Sequence, residues 1–411
     1  MTRRILMRAS GQARPGQLAG LGRALAKSGA RLLDINQSVT FGIVSLEALV
    51  ALDHEADLEG ALGATGAELG LDVQAIQIGA EEYHRWSVQA SRPRLIMTLL
   101  APRLPAGILA EVGGLTAAHG LTVELMHRLS GREPLDGEAP AQGSCVECWL
   151  RGDEVDVEAL REKALALGAA HGVDIALQED SIWRTHRRLV CFDMDSTLIQ
   201  AEVIDELARR HGVYDEVAEV TERAMRGELD FQQSFRERMA KLKGLDESVL
   251  ADIADELPLM DGVERLMRHL KRLGYRTAIL SGGFTYFARY LQQRLGFDEI
   301  HANELVIENG KVTGEVREPI VDADRKAELL HEIARREGFS MEQTIAVGDG
   351  ANDLKMLAAA GLGIAFRAKP LVRSQARQSI STLGLDAVLY LIGYRQADLD
   401  GGDREAEAPH V

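Results

Sequence analysis

The stretch Leu189-Val190-Cys191-Phe192-Asp193-Met194-Asp195-Ser196-Thr197 decides the fold class of this chain. It is a short apolar run, entered through Arg187-Arg188 and closed by acids, and it reads as a strand buried on both faces. Similar runs recur at residues 275–283, 344–350 and 362–366. Strands alternating with helices in this way form a parallel sheet with helices on both faces. Residues 202–257 depart from the alternation: Val203, Leu207 and Ala208, then Phe235, Met239 and Leu242, recur at helical spacing, which predicts a helical insertion above the first strand's carboxyl end. Glu308-Asn309-Gly310-Lys311, set between Leu305-Val306-Ile307 and Val312-Thr313, predicts a hairpin before the helix that carries Lys326.

Ligands of open parallel sheets bind at the carboxyl ends of the strands. Two carboxylates there, Asp193 and Asp195, are costly to bury unless they meet a cation or a proton. Gly348-Asp349-Gly350-Ala351-Asn352-Asp353 brings further acids to the same edge, and such a cluster suits Mg²⁺, which takes oxygen ligands in octahedral array. Another strand ends in Ser281-Gly282-Gly283, where a hydroxyl and unobstructed N–H groups at a helix start would cradle phosphate. Lys326 would supply a point charge for a phosphoryl oxygen. Taken singly, Lys326 also reads as a solvated helix lysine and Ser281-Gly282-Gly283 as an ordinary turn.

Occurring together and in this order, these features resemble the haloacid dehalogenase superfamily of aspartate-nucleophile phosphotransferases, whose first motif, Asp-x-Asp-x-Thr/Val, is Asp193-Met194-Asp195-Ser196-Thr197 here. The resemblance runs from about Arg187 to Tyr394 and implies a parallel Rossmann-like sheet with a helical cap. It implies Asp193 as nucleophile and Asp195 as general acid and base. Ser281, Gly282, Lys326 and Asn352 would bind the phosphoryl group. Asp193, the backbone carbonyl of Asp195, and Asp349 would hold Mg²⁺, with Asp353 orienting that shell.

Within the superfamily, Glu202-Val203-Ile204-Asp205-Glu206, Met225-Arg226-Gly227, Phe231, Ser234 and Arg238 resemble the cap of the phosphatases that act on O-phospho-L-serine, the enzymes of the last step of L-serine biosynthesis. That implies Glu202 at the substrate ammonium, Arg238 at its carboxylate, and Met225 and Phe231 excluding water. Without the resemblance, Glu202 reads as a helix-surface charge and Arg238 as part of an exposed basic face. Another small phosphomonoester, such as phosphothreonine, remains an alternative substrate. A second alternative is an amino-acid sensor with the phosphatase half as output.

The first 180 residues or so read as one α+β module written twice in βαββαβ order. The first copy has strands at 4–10, 30–41, 43–52 and 71–78 with helices at 15–27 and 57–70. The second has strands at 94–101, 121–129, 145–151 and 173–177 with helices at 105–120 and 157–172, and an exposed loop at 131–143. The tandem resembles ACT domains, ferredoxin-like amino-acid-binding modules, which implies an amino-acid effector and pairing into a homodimer. Gly11-Gln12-Ala13-Arg14-Pro15-Gly16 matches the family's glycine-proline turn, and reads either as a carboxylate-binding turn or as a helix cap alone. The second copy has Ala101-Pro102-Arg103-Leu104-Pro105-Ala106 there, without the glycines.

The expected organisation is therefore residues 1–90 and 91–182 as ACT-like modules and 183–395 as the phosphatase, with the cap at about 202–257. An acidic disordered tail is expected at 396–411. The chain has 411 residues, and 47 Lys and Arg against 63 Asp and Glu leave a net charge of −16, which opposes nucleic-acid and anionic-membrane binding. No signal peptide or membrane span is expected. Three cysteines fit a reducing cytoplasm, and Cys145-Val146-Glu147-Cys148, on a strand, faces its thiols oppositely and is read as structural rather than zinc-binding.

Overall fold

The computed structural model describes residues 2–53, 57–89, 92–133, 142–152 and 155–400. The chain divides into two compact units, Met1–Arg92 and Pro93–Val411. In the first, β1 (Arg3–Gln12), α1 (Gln17–Lys27), β2 (Arg31–Thr40), β3 (Ile43–Leu52), α2 (Leu58–Leu69) and β4 (Leu71–Ile78) build an antiparallel sheet ordered β2-β3-β1-β4. Alternate residues Ile5, Met7 and Ala9 face the core with Leu21 and Leu62 of the helices. A further helix, α3 (Ala80–Gln89), was not expected from the sequence; it buries none of its residues, so it lacks the apolar stripe that would mark it.

The second module repeats the design. β5 (Arg94–Ala101), α4 (Ile108–Ala118), β6 (Leu121–Arg128), β7 (Ser144–Gly152), α5 (Val157–His171) and β8 (Asp174–Glu179) give the equivalent order β6-β7-β5-β8. Most of the loop expected at 131–143, residues 134–141, lies outside the described residues. Cys145 and Cys148 are both free and buried, on opposite faces of β7. Cys148 packs in the module's own core, and Cys145 in the core of the phosphatase half.

That half runs β9 (Leu189–Phe192), the cap helices α6 (Val203–His211), α7 (Tyr214–Met225), α8 (Phe231–Lys241) and α9 (Val249–Glu256), then α10 (Val263–Arg272), β10 (Arg276–Phe284), α11 (Thr285–Leu295) and β11 (Glu299–Asn303). The hairpin β12 (Leu305–Glu308) and β13 (Lys311–Val316) follows, then α12 (Ala323–Glu337), β14 (Thr344–Gly348), α13 (Leu354–Ala359), β15 (Leu362–Phe366), α14 (Pro370–Gln375), β16 (Gln378–Ile380) and α15 (Val388–Leu391). The parallel sheet has the order β11-β10-β9-β14-β15-β16, with β9 inside it. Side-chain alternation divides its two cores: Val190, Phe192, Ile279, Ile345 and Val347 face one, Leu189, Cys191, Ala278, Leu280 and Ala346 the other. The edge strands β11 and β16 were not expected, since they are short and carry polar residues.

The second module is built into this half. Leu100, Leu129, Cys145 and Ala176 belong to the same apolar core as Phe192 and Tyr390. The Gln378 side chain accepts from the Leu177 N–H at 2.9 Å and donates to the Leu177 carbonyl at 2.5 Å. Asp174 Oδ2 accepts from the N–H groups of Ser381 and Thr382, each at 2.7 Å, and from Thr382 Oγ1 at 2.8 Å. Buried Glu147 accepts from Arg184 and, at 2.8 Å, from Trp149 Nε1. The expected tail also begins later than residue 396: residues 396–400 are helical, with Leu399 buried and the Gln396 N–H donating to the Leu129 carbonyl at 2.8 Å. Residues 401–411 lie outside the described residues.

Asp174→Ala strands the two backbone N–H groups at Ser381 and Thr382, and is expected to lower the free energy of unfolding by about 3 kcal/mol, read as a shift in urea midpoint. An unchanged midpoint would contradict this account of the docking.

Candidate active site

β10, β9 and β14 are in register at Phe192, which pairs with Ile279 on one side and Val347 on the other, so the residues that follow leave the sheet together. The Asp193 N–H donates to the Val347 carbonyl at 2.9 Å. Its Oδ1 accepts from the Met194 N–H and from Lys326 Nζ, both at 2.8 Å. Lys326, wholly buried on α12, also donates to Asp353 Oδ1 at 2.7 Å, and Asp353 Oδ2 accepts from the Gly350 N–H at 3.0 Å. Burial opposes the ammonium, but Asp193 and Asp353 outweigh it and hold Lys326 above its ordinary range. The lysine is thus no solvated helix residue.

One ammonium does not balance the acids around it. Desolvation and the neighbouring Asp353 push Asp193 well up, against Lys326. The same two causes bring Asp349 up to about 7, although its Oδ1 accepts from Thr197 Oγ1 at 3.0 Å. Desolvation, then Glu202, brings Asp195 up to about 8, although its Oδ1 accepts from the Val203 N–H at the start of α6, at 3.1 Å. Carboxylate oxygens of Asp193, Asp349 and Asp353 lie within 4.8 Å of one another. Both oxygens of Asp353 are engaged by Lys326 and Gly350, which leaves Asp193 Oδ2 and Asp349 Oδ2 as the oxygens open to a ligand. Such a donor set, short of positive charge, fits a hard divalent cation.

Ser281-Gly282-Gly283 is not at a helix start, as expected, but inside β10, where the pairing with β11 shifts register between Leu280 and Phe284; α11 begins at Thr285. A bulge beside an active site re-aims the backbone without ending the strand. Ser281 is fully buried, and its Oγ accepts from the Gly283 N–H at 2.9 Å. Asn303, which sequence reasoning missed, pins the bulge by donating to the Gly282 carbonyl and accepting from the Val321 N–H, both at 2.8 Å. A Cβ on Gly283 would come within 2.5 Å of Asp195 Oδ2, so the close approach itself demands glycine.

A cavity of about 730 Å³ opens over this edge, between cap and sheet. Asp193, Asp195, Gly282, Asp349 and Asn352 line it from the sheet, and Glu202, Met225, Phe231 and Arg238 from the cap. Ser281 and Lys326 do not line it; Lys326 reaches it only through the Asp193 carboxylate. Phe231 lies against Gly282, where a Cβ would be 3.1 Å from its ring, and stacks on Phe235 at 6.2 Å. Met225 is 70% exposed, so in this conformation it leaves the cavity open to water. Glu202 accepts from Ser196 Oγ at 2.9 Å, with Ser196 at a positive φ of 57°. Arg238 is half-buried, among Glu202, Asp205 and Asp195; desolvation lowers its affinity for the proton and those acids oppose it. Lys369, beside the Pro370 that opens α14, also lines the cavity and was missed, since a lone lysine carries no periodic signal.

Carboxylates at the end of an inner strand, clamped by a buried lysine under a helical cap, define a haloacid dehalogenase-like hydrolase. The model of that family, described as haloacid dehalogenase-like hydrolase, matches residues 187–361, and that of the ACT domain matches residues 3–75. A phosphoserine phosphatase of Streptomyces coelicolor is 41% identical over 407 residues, covering 98% of this chain and 95% of that one. One from Mycobacterium tuberculosis is 37% identical over 97% of this chain and 95% of its own length. The crystal structure of a probable phosphoserine phosphatase from Vibrio cholerae, in unliganded form, covers 77% of this chain and 90% of its own at 34% identity, with a TM-score of 0.58. The chain belongs to the phosphoserine phosphatase family.

Acids whose affinity for protons is raised by folding bind more protons folded than unfolded, so the stability of the metal-free chain is expected to fall as pH rises from 3.8 through about 7 and about 8. A divalent cation should then raise the melting temperature more at pH 8 than at pH 6, because it binds the deprotonated carboxylates; equal shifts would contradict the cluster as its site. Gly283→Ala is expected to displace Asp195 and lower phosphatase turnover by about 100-fold with the fold retained by circular dichroism.

Proposed function

We propose that the chain hydrolyses O-phospho-L-serine to L-serine and phosphate. The observation that carries this reading is one cavity lined both by the Asp193 and Asp195 carboxylates and by the Glu202 and Arg238 pair of the cap. One carboxylate oxygen of Asp193 attacks phosphorus in line with the ester oxygen, forming the aspartyl-phosphate as the phosphorus–serine oxygen bond breaks. Asp195, whose burial favours its protonated form, gives a proton to the departing serine oxygen. It then takes a proton from water, whose oxygen attacks phosphorus and releases Asp193. Lys326 holds the Asp193 carboxylate in place through Oδ1. Mg²⁺, held by Asp193, the Asp195 carbonyl and Asp349, would polarise the phosphoryl group. Gly282 and Asn352, which line the cavity, would receive its oxygens, with buried Ser281 holding the adjoining Gly283 N–H.

Glu202 would receive the substrate ammonium and Arg238 its carboxylate through a two-pronged guanidinium contact. Met225 and Phe231 would close over the serine part and exclude water. The first module would bind an amino-acid effector at Gly11–Gly16, beside a cavity of about 260 Å³ lined by Arg14, Gly16, Gln17 and Gln37. There, buried Gln17 ties the turn to the Gln12 and Leu69 carbonyls at 2.9 and 3.1 Å. Leu32, Ile35 and Val39, exposed along β2, suit pairing into a homodimer. Among the described residues no helix is long and apolar enough to cross a membrane, and the three buried thiols suit a reducing cytoplasm.

Asp193→Asn should lower turnover of O-phospho-L-serine more than about a thousandfold with the fold intact. Arg238→Ala should lower kcat/KM on O-phospho-L-serine about a hundredfold while barely changing that on a carboxylate-free phosphomonoester. Equal losses on both substrates would sink the amino-acid reading, and full activity in a chelated sample would sink the metal.

A further inference from the structure

A second cavity of about 740 Å³ lies between α5 of the second module and α14 of the phosphatase half, lined by Arg161 and Glu162 on one side and Arg373 and Arg377 on the other. Its charges are unevenly spent. Asp156 caps α5 by accepting from the Ala159 N–H at 3.0 Å, and Glu158 pairs with Arg161 Nη1 at 2.5 Å. Glu162 is exposed to water. Arg161 Nε is buried with no hydrogen-bond partner among the described residues, and a buried N–H without an acceptor is costly. The half-buried Arg373 side chain has no hydrogen bond or ion pair among the described residues, and the exposed Arg377 acts on Glu158 through its charge alone.

The segment that carries these arginines touches the active site at one end and the second module at the other. Lys369, Leu371 and Val372 line the catalytic cavity, while Pro370, Arg373, Ser374 and Gln375 line the second one. Beyond α14, the Gln378 side chain is bonded to Leu177, and Ser381 and Thr382 to Asp174. A helix of six residues, Pro370–Gln375, thus forms a wall common to both cavities.

We propose that the cleft between α5 and α14 is a binding site for a small organic anion, and that its occupancy alters catalysis by shifting α14 and, with it, Lys369 and Leu371. Guanidinium groups suit carboxylate and phosphate oxygens alike. An anion there supplies the acceptor that Arg161 Nε lacks and draws Arg373 and Arg377 towards α5. The effect on catalysis rests on the function proposed above; the binding does not.

The test is isothermal titration calorimetry on the full-length chain with succinate and, separately, with inorganic phosphate, comparing the parent with Arg373→Ala/Arg377→Ala and with Arg238→Ala. For at least one probe, the double variant is expected to weaken binding about tenfold or more while Arg238→Ala leaves it within about twofold. Succinate binding would assign the site to carboxylates, and binding by phosphate alone to phosphoryl groups. Phosphate also meets the catalytic cavity as product, so binding at the cleft is read as the difference between the parent and the double variant; the absence of heat with both probes, or no such difference for either, overturns the site. Turnover of O-phospho-L-serine at a saturating concentration of the bound probe should change by about twofold or more further in the parent than in the double variant. Binding without that change overturns the coupling alone, and binding to a chain that does not turn over O-phospho-L-serine overturns the proposed function and leaves the site standing.

Discussion

The ammonium of Lys326, held between Asp193 and Asp353 with no exposure to water, is the interaction on which the carboxyl edge of the sheet depends. Buried carboxylates repel one another and repel the interior, and removing their one fixed cation leaves an uncompensated charge rather than a merely missing contact. The position of that cation is set far from the acids. α12 starts at Asp322, whose Oδ1 accepts from the Arg325 N–H at 3.0 Å and whose Oδ2 accepts from Gln232 of the cap helix α8 at 2.8 Å. The cap, the start of α12 and the nucleophilic strand are therefore joined through a few polar contacts.

Around this charge the backbone is drawn in unusually close. Gly283 admits the Asp195 carboxylate, and a Cβ on Gly348 would stand 2.4 Å from Asp353 Cγ. Asp195 and Asp353 are thus each fitted against a position where a side chain is missing. Thr197 and Ser196 complete the arrangement by orienting Asp349 and Glu202 through single hydrogen bonds. Rigidity of this kind lets a carboxylate keep one oxygen turned to the ligand while its partner is occupied.

Much of this was legible in the chain because it is local. The run Leu189–Phe192 with its acids, the Gly-Asp run after Val347 and the hairpin at Asn309-Gly310 announce themselves within a few residues, and the doubled βαββαβ order shows in alternation alone. What was not legible depends on pairings distant in sequence. Asn303 gains its importance from Gly282 and Val321, and Gln378 from Leu177; neither contact has a periodic trace. The Ser281-Gly282-Gly283 segment was read as a helix start because glycines after a strand suit either a turn or a bulge, and only the pairing with β11 distinguishes them. Lys326 was legible as a residue but not as a buried one, since burial of a lysine is set by the partners it finds.

The mingling of cores around Cys145 has a consequence for how the chain can be divided. Leu100, Leu129, Cys145 and Ala176 are packed with side chains of the phosphatase half, so the second module covers apolar surface that the catalytic sheet's own helices leave bare. A fragment begun near residue 183 would present that surface to water and leave Gln378 without its strand partner. One compact unit ends at Arg92, so a cut there falls between units rather than through a shared core. In its packing the second module behaves as an outer layer of the enzyme.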